Sequence, residues 1–260
     1  MGNIYIIFAI GLGYFSYNKG LPFAIRSLFF PLLKEKIYGF WGNIIDTVAA
    51  LAVLFGLAVS LGLGALQINA GLNFVFGIPN ASNVQVMIII FITIIATFSV
   101  VSGVNKGIRW LSEANMAITT IFLIAVTLIG PTVYIFSTYI SSMGIYIRDI
   151  FSSGLFIATE PSDVTWQGAW TIFYLAWWVS WAPFVGTFIA RISKGRTIRQ
   201  LALGGLAIPT LVVTFSMTIL GASGVFLNNL HEGAIAKAIE SNIAISLFEM
   251  FTYLTSSGVK

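Results

Sequence analysis

The stretch AWTIFYLAWWVSWAPFVGTFIA, residues 169–190, contains no Asp, Glu, Lys, Arg or His. Wound as a helix rising about 1.5 Å per residue, it crosses a hydrocarbon layer about 30 Å thick. It also holds four of the chain's seven tryptophans, Trp170, Trp177, Trp178 and Trp181. At about 100° per residue these rings, with Tyr174 and Phe184, fall on one helix face. An interfacial aromatic belt sits at the two ends of a span, whereas Trp177, Trp178 and Trp181 lie near the middle of this one. Depth therefore argues against a belt. Aromatic packing between helices would use the same face. So would an aromatic cage for a quaternary ammonium group, a cation with no proton to donate, whose spread charge is best met by several ring faces. The residues alone leave packing and cage level.

Composition sets the frame around this stretch. With 58% hydrophobic and only 8% charged residues, and a strongly positive mean hydropathy, the chain reads as an all-α integral membrane protein. Its length then counts helices, not globular domains. The absence of cysteine excludes disulfides and thiolate chemistry, and a single histidine, His231, builds no metal cluster. No motif for a cofactor is present. Apolar runs at 4–14, 44–68, 84–104, 117–139, 169–190 and 201–227 predict about six transmembrane helices, the first incomplete. A last apolar run, 243–254, is too short to cross and contains Glu249.

Loop charge orients these runs. Residues 15–43, 105–116 and 191–200 hold ten of the thirteen Lys and Arg, and the alternate loops hold only Arg148 and Lys237. The basic side is cytoplasmic. The net charge of +4 is thus explained by membrane topology, without a nucleic-acid partner. The bilayer is the expected partner, and the expected location is the cell membrane as a multi-pass protein. Residues 21–38, apolar and basic around Pro31, predict a helix lying on the cytoplasmic surface, and 139–156 predict a similar one outside. Asp46 reads as an acid in the first turn of a helix, stabilised by the dipole, in preference to a proton relay. Gly56, Ser60, Gly62 and Gly64 read as small residues for close helix approach. Phosphate loops, Ser-His-Asp sets and paired carboxylates are missing at recognisable spacing, so an enzyme is not expected.

The run from Trp170 to Trp178, with Ser180, Trp181, Pro183, Phe184, Val185, Gly186, Ala190, Arg191, Ile192, Ser193, Gly195 and Arg196, resembles the betaine/choline/carnitine transporter family. It departs from the family pattern at Ala169 and Leu175, neither of them a cage position. Further agreement comes from Gly20, Leu21 and Pro22, from Phe55, Gly56 and residues 60–68, and from Gly71, Leu72, Asn73, Phe76, Gly77, Ile78 and Pro79. Gly107, Ile108, Leu111, Ser112, Asn115 and Met116 extend the resemblance over essentially the whole chain.

The resemblance implies part of an inverted-repeat, LeuT-like secondary transporter with its substrate site at mid-membrane. It divides the chain into residues 1–168, the remainder of a first repeat, and 169–260, the start of a second. It implies uptake of quaternary ammonium compounds (glycine betaine, choline or carnitine) by alternating access. In such proteins Trp177, Trp178 and Trp181 would enclose the cation, with Tyr5 as a further wall of the box. A homotrimer is implied as well, with 139–156 at the contact. By the same resemblance three helices precede Met1 and a helix with a sodium-ligating Thr and Ser follows Lys260, so the chain reads as a fragment. A second sodium site in sodium-coupled relatives uses two threonines where this chain has Val53 and Leu57, with Phe184 nearby. Apolar side chains do not ligate a hard cation, so sodium is disfavoured there. No arginine in 44–68 stands in for it, as it does in exchangers of this family. The contrasting expectation is a non-transporting membrane protein whose helices only pack or oligomerise.

Overall fold

Proline and glycine punctuation decides where the helices stop. The computed structural model describes residues 2–103 and 107–256, which are helical almost throughout. Helix α1 (Gly2–Gly13) is followed by a wide turn, Tyr14–Asn18. The predicted surface helix over 21–38 is instead broken into a 3-10 turn at Ile25–Phe29, a single turn α2 (Phe30–Leu33), and a second 3-10 turn at Lys34–Tyr38. The break falls where Lys34 takes a positive φ of 49°, which no helix continues.

Helix α3 (Phe40–Phe76) runs for 37 residues, well beyond the apolar run that announces it. Its early start at Phe40 moves Asp46 into the second turn, so the expected role in the first turn is not met. Asp46 is held by Arg26 instead: the guanidinium Nε lies 2.6 Å from one carboxylate oxygen and the backbone N–H of Arg26 donates to the other. At its far end α3 closes on Gly77, with φ of +71°, a conformation glycine adopts without a Cβ penalty. Asn69, fully buried, ties the following turn by donating to the Pro79 carbonyl and accepting from the Ala81 N–H.

Helices α4 (Ser82–Val101) and α5 (Arg109–Ile129) follow. The apolar run 117–139 is not one helix. It stops at Gly130, which is extended, because Pro131 disfavours the helical region for the residue before it. The chain restarts as α6 (Thr132–Gly154), whose C-terminal half carries the ion pair Arg148 and Asp149. The hydrogen bond from Arg148 holds the Asp149 carboxyl below the usual carboxylate range. Then come α7 (Pro161–Gln167), a π turn at Gly168–Ile172, α8 (Phe173–Ile192), α9 (Ile198–Leu230), α10 (Ala234–Ser241) and α11 (Ser246–Ser256).

Five helical segments among the described residues are long and apolar enough to cross a membrane: Phe40–Phe76, Ser82–Val101, Arg109–Ile129, Pro161–Ile192 and Ile198–Leu230. The sixth predicted run is α1, with 12 residues in place. Helix α4 is apolar around its circumference yet has no buried residue, an arrangement that suits a lipid or protein surrounding and not water.

Contacts gather the chain into two units. The first comprises residues up to Ser60 with Leu155–Val212, and the second comprises Leu61–Gly154 with the residues from Val213 onward. Each draws chain from both sides of residue 168. In the second unit Val126, Ile135, Ile219 and Ala222 form one core and Leu227, Ile235, Met250 and Leu254 another. In the first unit the core is Ala9, Leu12 and Ala190, surrounded by Phe23, Ile25, Leu28, Ile189 and Leu201.

Candidate functional site

The first unit is built on a close crossing of α1 and α8. Small residues make it close: Ala9 and Ala182 are completely buried, and Gly186 is buried between them. A Cβ on Gly186 would sit 3.3 Å from the Tyr5 carbonyl oxygen and 3.4 Å from the Ala9 nitrogen, and would overlap the Phe8 side chain. With backbones this near, residues one turn up the crossing reach each other. Tyr5 of α1 stacks on Trp178 of α8, with ring centroids 5.8 Å apart and planes 26° from parallel.

That pair forms one wall of a cavity of about 330 Å³ lined by Tyr5, Trp177, Trp178, Trp181 and Val185. The structure thus brings together all four residues singled out as a cage, and adds Val185. The volume lies within the range of about 300–1,000 Å³ common to small-molecule sites. No charged side chain lines it. Indole and phenol faces carry the negative part of the ring quadrupole, so a lining of this kind suits a cation that asks for no hydrogen-bond acceptor.

Along the same face Trp170 stacks on Tyr174, almost parallel at 4°, and Tyr174 and Phe173 lean on Trp177. The regular helix assumed for 169–190 is interrupted at its start by the wide turn Gly168–Ile172, a feature that periodicity does not reveal. The aromatic face survives it: Trp170, inside the turn, still stacks on Tyr174 beyond it.

A second set of contacts escapes sequence reasoning. The Trp177 indole Nε1–H donates to Ser60 Oγ at 3.0 Å, and that hydroxyl donates to the Gly56 carbonyl at 3.0 Å. Gly56 itself lies so near α8 that an added Cβ would be 3.2 Å from Trp181 Cδ1 and Nε1. Glycine and serine four apart signal close packing, which is how they read in the sequence; the indole bond has no sequence signal.

Phe184 does not line the cage. It packs edge-on against Trp181 at 6.0 Å and faces a separate cavity of about 650 Å³ whose walls include Asp46, Val53, Pro183, Thr187 and Arg191. Val53 shares this cavity with Phe184, while Leu57 is not among its walls. The oxygen groups there are engaged: Asp46 with Arg26, and the Thr187 hydroxyl donating to the Pro183 carbonyl. Among the described residues no group of three or more His, Asp or Glu is placed to hold a metal ion.

Residues 3–259 match the family described as BCCT, betaine/carnitine/choline family transporter. The chain belongs to this family. The family so described is one of transporters, not enzymes, and the five membrane-length helices of the described residues agree with a multi-pass membrane family. This BCCT family member is 41% identical over 250 residues to a glycine betaine/proline/choline transporter of Vibrio parahaemolyticus, covering 95% of the chain and 44% of that protein. It is 42% identical over 235 residues to the glycine betaine transporter OpuD of Bacillus subtilis, covering 90% of the chain and 46% of the relative. A glycine betaine transporter of Acinetobacter baylyi is 40% identical over 260 residues, with 99% and 39% covered. The BCCT chain therefore spans less than half the length of these relatives.

Proposed function

We propose that this chain supplies the substrate-cage half of a secondary transporter for quaternary ammonium compounds of the glycine betaine type. Trp177, Trp178, Trp181 and Tyr5 surround the trimethylammonium head, and the substrate is taken up by alternating access. The observation that carries the reading is the uncharged cavity walled by the stacked Tyr5 and Trp178. A trimethylammonium group has no N–H, so it gains little from carboxylates or carbonyls that hold a primary ammonium, and much from desolvated ring faces. The names of the relatives, which specify glycine betaine and in one case choline and proline, support that substrate class. Residues 1–168 and 169–260 then belong to two inverted repeats, and the working assembly is a homotrimer.

The chemistry at Val53, Leu57 and Phe184 bears on one sodium site. Two aliphatic side chains where sodium-coupled relatives place threonines offer no oxygen, and a hard cation binds through oxygen. Sodium is therefore disfavoured at this position.

Reconstitution tests the proposal. Purified protein in liposomes, given radiolabelled glycine betaine, is expected to accumulate label above protein-free vesicles when a sodium gradient, a proton gradient or internal unlabelled betaine is supplied. Absence of both binding and uptake under every gradient would favour a membrane protein whose helices only pack.

A further inference from the structure

The aromatic cage needs its rings held at fixed angles, and the three tryptophans are held differently. Trp178 is stacked against Tyr5 of α1. Trp177 has ring neighbours Phe173 and Tyr174, both on its own helix within one turn, so these do not anchor it to the rest of the unit. Its hydrogen-bonded tether across helices runs to α3: the indole N–H to Ser60. Residues 56 and 60 of α3 lie one turn apart and meet Trp181 and Trp177, also one turn apart, in antiparallel order.

The hydroxyl geometry gives the tether direction. Ser60 spends its one proton on the Gly56 carbonyl, so toward Trp177 its oxygen acts as acceptor. The indole, a donor only, is the matching group. A half-buried indole N–H left without a partner turns its ring to find one, because an unmet donor costs more than a met one gains. Turning the ring takes its face away from the cavity. Tying the N–H to Ser60 also leaves the Trp177 ring with no free donor toward the ligand, which suits a cation that accepts nothing.

We infer that Ser60 is a positioning residue for cation recognition, setting the Trp177 ring through its indole N–H; this rests on the cage reading given above. Equilibrium binding of radiolabelled glycine betaine to the purified full chain tests it, with thermal unfolding followed in parallel. Ser60→Ala is expected to weaken binding about five- to tenfold, the value of one hydrogen bond. Ser60→Thr, which keeps the hydroxyl, is expected to bind like the parent. In a Trp177→Phe background, where no N–H remains, Ser60→Ala is expected to change affinity by less than about twofold.

An equal effect of Ser60→Ala with and without the indole N–H overturns the inference, and so does no effect in either background. Trp178→Leu, measured alongside, separates this from the cage itself. Loss of binding in Trp178→Leu with unaltered Ser60 variants keeps the cage and removes the positioning role. Parent-like binding by Trp178→Leu, or no betaine binding by the parent, removes the cage and the inference with it.

Discussion

Trp178→Leu is expected to abolish measurable binding of glycine betaine while leaving the helices folded. Trp178 lines the cavity and also carries the stack with Tyr5, so its loss removes one ring face directly and frees a second to move. A desolvated cation–ring contact contributes about 2 kcal/mol, and two of them together correspond to a loss of affinity of several hundredfold or more. Leucine keeps much of the apolar volume, so packing is disturbed less than recognition. Trp178→Phe, which retains a smaller ring, should fall between leucine and the parent. Equilibrium binding with thermal unfolding as a control checks the ordering. If leucine and tryptophan bind alike, the rings pack and do not recognise.

Gly186→Leu is expected to damage the protein by a different route. The α1–α8 crossing has no space for a side chain at Gly186, where Phe8, the Tyr5 carbonyl and the Ala9 nitrogen close in. Forcing one in separates the backbones, at a cost of about 1–3 kcal/mol for an overpacked core position. Separation also pulls Tyr5 away from Trp178, so affinity should fall together with the unfolding temperature. Gly186→Ala should show the same signs at smaller amplitude. The pairing of the two losses distinguishes this variant from Trp178→Leu, which is expected to lose affinity alone.

Most of the helical architecture was legible in the amino-acid order, because an apolar run of membrane length has few alternatives to a helix. The errors lie where local backbone chemistry competes with hydropathy. The run 117–139 stays apolar through Gly130 and Pro131, so hydropathy passes over a stop that the proline enforces. The segment 21–38 has the composition of a surface helix, but Lys34 at φ 49° divides it. The wide turn at Gly168–Ile172 changes hydrogen-bond spacing without changing composition, and no residue pattern reports it.

The site divides in the same way. Trp177, Trp178 and Trp181 announce themselves because they are crowded into one span. Tyr5 was reached only through family resemblance, since nothing around it in sequence points to a partner on α8. Ser60 was visible as a small packing residue, yet its bond to Trp177 joins positions 117 apart and depends on a crossing that pattern alone does not specify. Asp46 shows the reverse case: an acid near a helix start suggests a dipole role, and its actual partner is Arg26, 20 residues earlier.

The central claim is that the cavity recognises positive charge through ring faces, and one comparison isolates it. Glycine betaine and its carbon isostere tert-butylacetate share shape and carboxylate and differ in whether the head group is charged. Competition of each against radiolabelled glycine betaine, on the purified protein, reads the charge alone. Recognition by rings predicts that tert-butylacetate competes at least about thirtyfold less well, the equivalent of about 2 kcal/mol of cation–ring attraction. Equal competition by the two would mean that the cavity holds any apolar head of the right size, and would contradict the account.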